Sequence, residues 1–133
     1  LASSAASDVY KRQEIGSASG MAAAAICSVR GGSKEQMGYA CAMALKNLMG
    51  LVCDPVAGLV EVPCVKRNVG GAVNALAAAD MALAGIASHI PVDQVIDAMG
   101  EVGMKMDVSL RETSMGGVAT SPKGLEIAER LGM

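Results

Sequence analysis

Large aromatic side chains are almost absent from this sequence of 133 residues, which contains no Phe, no Trp and 2 Tyr. The hydrophobic residues, 52% of the total, are mainly Ala, Val, Leu, Ile and 10 Met, enough to fill the core of one modest domain. Small side chains favour closely packed helices over a β-sandwich, whose strands are usually rich in aromatic and β-branched residues. No alternating strand pattern is visible. The sequence therefore predicts an all-α domain.

A strong charge of either sign is also missing. The formal net charge is -2 and 18% of the residues are charged, so there is no basic field of the kind that nucleic-acid binding needs. A single His excludes a His-rich zinc site. The longest apolar segment, 64–89, contains Asn74 and Asp80 and much weakly hydrophobic Ala, which favours a buried helix over a membrane span. We expect neither nucleic acid nor a membrane as a partner.

From Glu14 onward, Gly and Pro divide the chain into Ala-rich segments that are typical of helices. Ser33 and Gln36 have the spacing of a capping box, Pro63 suits the first turn of a helix, and Ser121-Pro122 suits another helix start. We expect the segment that begins near Pro63 to be a long central helix, wrapped by the others, because its small residues allow close approach. Residues 51–63 should form a loop with one short turn, and 108–120 an irregular segment. The predicted helices are 14–30, 34–49, 64–89, 92–99 and 123–131.

The first 13 residues, LASSAASDVYKRQ, are polar and lack helical periodicity. We predict that 1–13 is a foreign or disordered segment and that 14–133 is part of a domain. No apolar run follows a basic start, so this segment does not have the pattern of a signal peptide. Together with the Met-rich and Ala-rich composition, this favours the cytoplasm.

Familiar nucleotide-binding motifs are missing, and the chemically interesting residues that remain are four cysteines. An even count permits two disulfides, but a reducing compartment favours free thiols. Cys27 and Cys41 lie at helical spacing with apolar neighbours, so we expect both to be small core residues.

Cys53 and Cys64 differ from the other two because neither is predicted to lie in the middle of a helix. Cys53 precedes a Pro-broken loop, and Cys64 falls in the first turn of the long helix, where free N–H groups favour a thiolate. Lys66 and Arg67 add positive charge nearby, and Asn68 adds a neutral donor. A spacing of ten residues between two cysteines is no standard metal motif, so a metal site and a structural role both remain open.

The segment 50–68, GLVCDPVAGLVEVPCVKRN, resembles the characteristic segment of the iron–sulfur-dependent bacterial L-serine dehydratases, in their α chain or α domain. Further matching stretches are EIGSA at 14–18, MAAA at 21–24, RET at 111–113, GG at 116–117 and AT at 119–120. The resemblance extends from Glu14 to the end of the chain. It implies the helical fold of that α chain and the conversion of L-serine to pyruvate and ammonia.

The resemblance also implies a [4Fe–4S] cluster that three cysteines hold and whose open iron acts as a Lewis acid on the hydroxyl group of serine. Cys53 and Cys64 would be two of these ligands, and the third family position is Lys11 here. The catalytic base is not identified. Candidates for the environment of substrate or cluster are Lys66, Arg67, Asn68, Thr113, Gly116 and Gly117.

The partners that the resemblance implies are L-serine, the missing N-terminal part of the same enzyme, and a β chain or β domain, within an oligomer. Because two thiolates cannot hold a cubane securely, we expect this chain by itself to be inactive. The alternative is a non-catalytic helical binding or scaffold module without a cluster. A pyridoxal-phosphate dehydratase would need an α/β fold and a phosphate-binding Gly loop, and the sequence shows neither.

Overall fold

A computed structural model describes residues 14–133, and the predicted foreign segment 1–13 lies outside the described residues. Within 14–133 there is no strand, and the one β-bridge joins Cys53 to Arg111. The prediction of an all-α fold is confirmed. Short 3-10 turns lie at Val56–Gly58, Val108–Leu110 and Gly117–Thr120. The α-helices are α1 (Glu14–Val29), α2 (Lys34–Leu48), α3 (Cys64–Leu83), α4 (Val92–Lys105) and α5 (Pro122–Arg130).

The junction between α1 and α2 follows the predicted capping signals. Gly31 adopts a φ of 83°, and its N–H donates to the Ser28 carbonyl at 3.0 Å, which ends α1. Ser33 then begins α2: its hydroxyl accepts from the Gln36 N–H at 3.2 Å, and the Gln36 side chain accepts from the Ser33 N–H at 2.9 Å. The predicted capping box is confirmed.

The main core forms where α1, α2 and α3 pack against one another. Its side chains are so small that the helices approach closely, and a Cβ on Gly20 of α1 would lie 2.8 Å from Leu45 of α2. A second, smaller core joins α2 to α4 through Leu45, Val95 and Met99. Most members of the main core are alanines: Ala23, Cys27, Ala40, Met43, Ala44, Ala75, Ala78, Ala79 and Ala82.

A network of polar side chains connects the same three helices. Ser19 of α1 donates to the Gly71 carbonyl of α3 at 2.7 Å. From α3, the Asn74 amide donates to the Ser19 hydroxyl at 2.8 Å and to the Ala44 carbonyl of α2 at 3.0 Å. The side-chain amide of Asn47 in α2 donates to the side-chain Oδ1 of Asn74 at 2.7 Å. These bonds satisfy polar groups inside an apolar interface and fix how the helices are placed along one another.

Two helix ends differ from the sequence prediction. α3 stops at Leu83 because Gly85, with a φ of 88°, forms the left-handed cap whose N–H donates to the Ala82 carbonyl at 3.0 Å. His89 therefore lies exposed in the connection to α4 and not at the end of α3. α4 continues past the predicted end at Met99 to Lys105, because Gly103 extends a buried stripe at helical spacing.

α3 packs on α1 and α2 with one face, while its opposite face is exposed over the described residues. That opposite face carries Val65, Val69, Val73 and Leu76, which are 50–63% exposed. The described residues thus do not enclose α3 on all sides, and its central position stays a prediction. None of the helices within 14–133 is long and apolar enough to cross a membrane.

Adjacent glycines of α3 offer a test of the close packing between α1 and α3. A Cβ on Gly71 would lie 2.8 Å from Cγ2 of the β-branched Ile15, whereas nothing lies within 4 Å of a Cβ on Gly70. We expect Gly71→Ala to lower the free energy of unfolding by about 1–3 kcal/mol through overpacking. Urea unfolding followed by circular dichroism measures this change.

The matched control is Gly70→Ala, one position earlier in the same helix. Because its new methyl group meets no neighbour, we expect the higher helix propensity of Ala to raise the free energy of unfolding by about 0.5–1 kcal/mol. Equal effects of the two substitutions would contradict the close approach of α1 and α3 at Gly71.

Candidate functional site

An open cleft of about 590 Å³, its mouth included, lies where the start of α1, the loop before α3 and the start of α3 meet. Both cysteines that were singled out from the sequence, Cys53 and Cys64, line this cleft. The structure thus brings the two thiols to one site although ten residues separate them in the chain. The other lining residues are Glu14, Ile15, Gly16, Leu51, Val52, Pro55, Val60, Arg67, Asn68 and Glu112.

Backbone hydrogen bonds fix Cys53 in the loop. Its N–H donates to the Leu110 carbonyl at 2.9 Å, and its carbonyl accepts from the Glu112 N–H at 2.7 Å. These two bonds attach the loop to the irregular segment that was predicted at 108–120, and they bring Glu112 to the rim of the cleft. Glu112 has a φ of 64°, a left-handed conformation that non-glycine residues rarely adopt.

Cys64 is the first residue of α3, as the position of Pro63 predicted. Within the loop that leads to it, the Val56 N–H donates to the Val62 carbonyl at 2.9 Å and so closes the chain on itself. The predicted single short turn is present at Val56–Gly58. This closure returns the chain from Cys53 to the same cleft that Cys64 lines.

Asp54 is a buried carboxylate directly behind the cleft, and its side chain is 2% exposed. Its Oδ1 accepts from the Arg67 guanidinium at 2.6 Å, and its Oδ2 accepts from the Val118 N–H at 2.7 Å. The same nitrogen of Arg67, Nη1, also donates to the Val52 carbonyl at 2.8 Å. Arg67 is therefore joined to two residues of the cysteine loop.

The electrostatic surroundings of Cys53 favour its protonated form. Burial raises the pKa of the Cys53 thiol to about 11, with smaller increases from Glu112, Cys64, Asp54 and Glu14. A metal ion that binds sulfur must therefore displace a proton from this thiol. Among the described residues that line the cleft, Arg67 is the one cation, and its charge faces Asp54.

Some of the remaining candidate residues line the cleft and others do not. Asn68 lines the cleft together with Arg67, but Lys66 is exposed and outside the lining. Thr113 donates from its hydroxyl to the Val108 carbonyl at 2.9 Å, also outside the lining. Gly116 lies against Ser109 and Gly117 lies against Asp54, and neither glycine is among the residues that line the cleft. Their roles toward substrate or cluster stay predictions.

The other two cysteines lie in helices, as expected. Cys27 is fully buried in the main core, which confirms its prediction, and Cys41 is partly buried against the smaller core. Burial raises the pKa of the Cys41 thiol. Cys27, Cys41, Cys53 and Cys64 are all free thiols.

Sequence reasoning missed three acidic residues of this region. Glu14 and Glu112 line the cleft, and their carboxylates are groups that can accept a proton. Asp54 lies behind it. For Asp54 a signal was available, because a carboxylate between a cysteine and a proline in an apolar loop needs a buried partner, and Arg67 is the nearest arginine that follows. Glu14 and Glu112 lie in two of the stretches that carry the resemblance, EIGSA and RET, but the sequence does not show that the two stretches meet at one site.

The donor set of the cleft matches part of the ligand set that the resemblance implies. Cys53 and Cys64 are two thiols on one surface, as a shared cluster requires. Within 14–133 no three His, Cys, Asp or Glu side chains are grouped so that they could hold a metal ion. The third expected position, Lys11, lies outside the described residues. The described residues therefore supply two of the three cysteine ligands that the resemblance implies for the cluster.

The sequence model of the family described as "Serine dehydratase alpha chain" matches residues 3–119. The chain belongs to this family. The match begins inside the segment 1–13, whose foreign origin stays a prediction.

Curated relatives are similar over most of this chain. A probable L-serine dehydratase, alpha chain, of Bacillus subtilis is 63% identical over 89% of this chain and 39% of its own length. The L-serine dehydratase, alpha chain, of Peptoniphilus asaccharolyticus is 53% identical over 86% of this chain and 39% of its own. L-serine dehydratase 1 of Escherichia coli is 44% identical over 89% of this chain and 26% of its own. The chain thus spans less than half of the length of these relatives.

The negative charge of Glu112 gives a prediction about Cys53. Because this charge raises the pKa of the thiol, we expect Glu112→Gln to lower the pKa of Cys53, so that its thiolate forms at a lower pH. The pH dependence of iodoacetamide alkylation, measured at the Cys53 peptide by mass spectrometry, reports this pKa.

Glu61→Gln is the control, because it removes the same charge from the loop between the two cysteines and Glu61 does not contribute to the pKa of Cys53. This variant should leave the alkylation profile of Cys53 unchanged. An unchanged profile in Glu112→Gln would show that Glu112 does not face the thiol.

Proposed function

We propose that this chain is part of the catalytic domain of an iron–sulfur-dependent L-serine dehydratase, which converts L-serine to pyruvate and ammonia. The observation that carries the proposal is the position of Cys53 and Cys64 on one cleft, in a chain of the serine dehydratase alpha chain family. The relatives named above support an L-serine dehydratase, since that is what their names state. Because this chain matches less than half of each of these relatives, we propose the activity for the whole protein of which this chain would be a part.

Cys53 and Cys64 would hold two irons of a [4Fe–4S] cluster in this proposal, and a third cysteine would be needed at the position of Lys11. When bound, the cluster supplies a Lewis acid that makes the serine hydroxyl a better leaving group. Lys11 cannot replace the missing ligand, because an ammonium group at neutral pH has no free lone pair. We therefore propose that the chain as written is inactive.

The chain's own polar groups would act on the substrate around these thiols. Asn68 offers an uncharged donor at the cleft surface, and Glu14 and Glu112 offer carboxylates that can accept a proton. Arg67 lines the cleft but is already paired with Asp54, so we do not assign it to the substrate carboxylate.

The remaining partners of the enzyme are proposed on the same basis. The relatives named above are about 2.5 to 4 times as long as the part that this chain matches, so an N-terminal part and a β chain or β domain would complete the enzyme within an oligomer in the cytoplasm. The exposed face of α3, with Val65, Val69 and Val73, offers apolar area for such a part to cover.

A non-catalytic helical module is the second candidate function. It is favoured by one observation, namely that residues 14–133 contain no complete group of three metal-binding side chains. Anaerobic purification, absorbance near 400 nm and an assay of iron and sulfide distinguish the two candidates, because only the enzyme should assemble a cluster once position 11 is Cys.

The central test restores the third ligand. We expect Lys11→Cys to raise the iron and sulfide content of the anaerobically reconstituted chain several-fold, because a third thiolate completes the set that holds a cubane. In a protein that also contains the missing domains, serine-dependent formation of pyruvate should then appear. Iron, sulfide and pyruvate are each measured per mole of protein.

Cysteine substitutions in the restored protein provide the controls. Cys53→Ser or Cys64→Ser should remove both the cluster and the activity. Cys27→Ala or Cys41→Ala should keep both and cost about 1 kcal/mol of folding free energy through lost packing. If Cys64→Ser kept its iron while Cys41→Ala lost it, the ligand assignment would be wrong.

A further inference from the structure

The Arg67 guanidinium joins the two segments that carry Cys53 and Cys64. Arg67 lies on α3 three residues after Cys64, which is about one helical turn, so its position is tied to that of Cys64. Its Nη1 donates to the Val52 carbonyl at 2.8 Å and to Asp54 Oδ1 at 2.6 Å. Val52 and Asp54 are the two chain neighbours of Cys53. One guanidinium nitrogen therefore holds both sides of one cysteine from the helix that begins with the other.

The Asp54 carboxylate of this ion pair is shielded from water, whereas the Arg67 side chain is partly exposed to the cleft. The Asp54 side chain is 2% exposed and that of Arg67 is 23% exposed. An exposed pair contributes little to stability, but the removal of one partner from a buried pair leaves an uncompensated charge. The geometry around Asp54 is thus strongly constrained as long as both partners are present.

Gly117 completes the enclosure of Asp54 from the opposite side. It has a φ of 62°, and a Cβ at this position would overlap the Asp54 carboxylate. The next residue, Val118, donates its N–H to Asp54 Oδ2 at 2.7 Å. A side chain at position 117 would displace the carboxylate from both of its partners, although Gly117 itself is not part of the cleft lining.

We propose that Asp54, Arg67 and Gly117 form a clamp that sets the separation of the Cys53 and Cys64 thiols. All three are positioning residues: they act through the two cysteines and not on the substrate. The inference rests on the proposed function only in that these thiols are the expected iron ligands.

Thiol cross-linking in the iron-free chain tests the clamp. One molecule of a short bis-maleimide can react with both thiols and cross-link them, or two molecules can each cap one thiol. Peptide mass spectrometry separates the Cys53–Cys64 cross-link from the doubly capped product. The second reaction is intramolecular, so the ratio of the two products reports how often the thiols are close. Labelling with N-ethylmaleimide under the same conditions corrects for a changed reactivity of either thiol.

We expect Asp54→Asn and Arg67→Gln each to lower this ratio about tenfold, because the second maleimide no longer meets a thiol held at a fixed distance. The double variant should not lower the ratio further than either single variant does, since each single substitution already removes the same link. Arg67→Lys keeps a cation beside Asp54 and should give an intermediate ratio. This conservative variant also serves where the others do not fold, as judged by far-UV circular dichroism.

Gly117→Ala should lower the ratio as well, and Gly85→Ala is its matched control. Gly85 also has a positive φ, of 88°, but nothing lies within 4 Å of a Cβ there, at the far end of α3. Both substitutions strain the backbone, and only the first displaces Asp54. Gly85→Ala should therefore keep the ratio of the parent chain.

Ratios within about twofold of the parent in the folded Asp54, Arg67 and Gly117 variants would overturn the clamp, as would a parent chain that forms no cross-link. The proposed function can fail separately. A chain that cross-links as expected but binds no iron after Lys11→Cys would support the clamp and contradict the proposed cluster.

Discussion

The candidate site depends on one buried charge, the carboxylate of Asp54. Asp54 is the one charged residue that is buried among residues 14–133. A buried carboxylate is tolerated only with hydrogen-bonding partners. Its partners come from α3, through Arg67, and from the irregular segment before α5, through Val118. Because Asp54 follows Cys53 directly, the need to satisfy this charge draws three distant parts of the chain around one cysteine.

The helices that carry this arrangement are positioned by the small size of their side chains. Alanines and glycines let α1, α2 and α3 approach closely, and such a flat interface offers few large side chains that would fix one helix along another. Ser19, Asn47 and Asn74 supply that specificity, because their hydrogen bonds are satisfied in one arrangement only. Since α1 and α3 both begin at the cleft, this network also determines where Glu14 and Cys64 lie.

Features with a local physical cause could be predicted from the sequence, and features that depend on distant partners could not. The capping box at Ser33, the glycine at Gly31 and the loop around Pro55 follow from rules that act over a few residues. The end of α3 differs from the predicted 64–89 because Gly85, inside a segment of small apolar residues, has no Cβ to oppose a left-handed cap. At the site, the family resemblance indicated Cys53 and Cys64, but the placement of Glu112 depends on backbone bonds to the cysteine loop.

The charges around the cleft favour a cationic occupant over an anionic one. Glu14 and Glu112 are carboxylates of the lining, and the positive charge of Arg67 is directed at Asp54. An amino-acid carboxylate entering this cleft would meet two like charges and no free cation among the described lining residues, which disfavours its binding to the described residues alone. The proposed cluster would not make this surface positive as a whole, because each thiolate that holds an iron is itself negative, but an iron with an open position would be a Lewis acid that attracts a carboxylate oxygen. The carboxylates of the described lining thus favour the ammonium group of an amino acid, while its carboxylate would need a Lewis acid of the kind that the proposed cluster supplies.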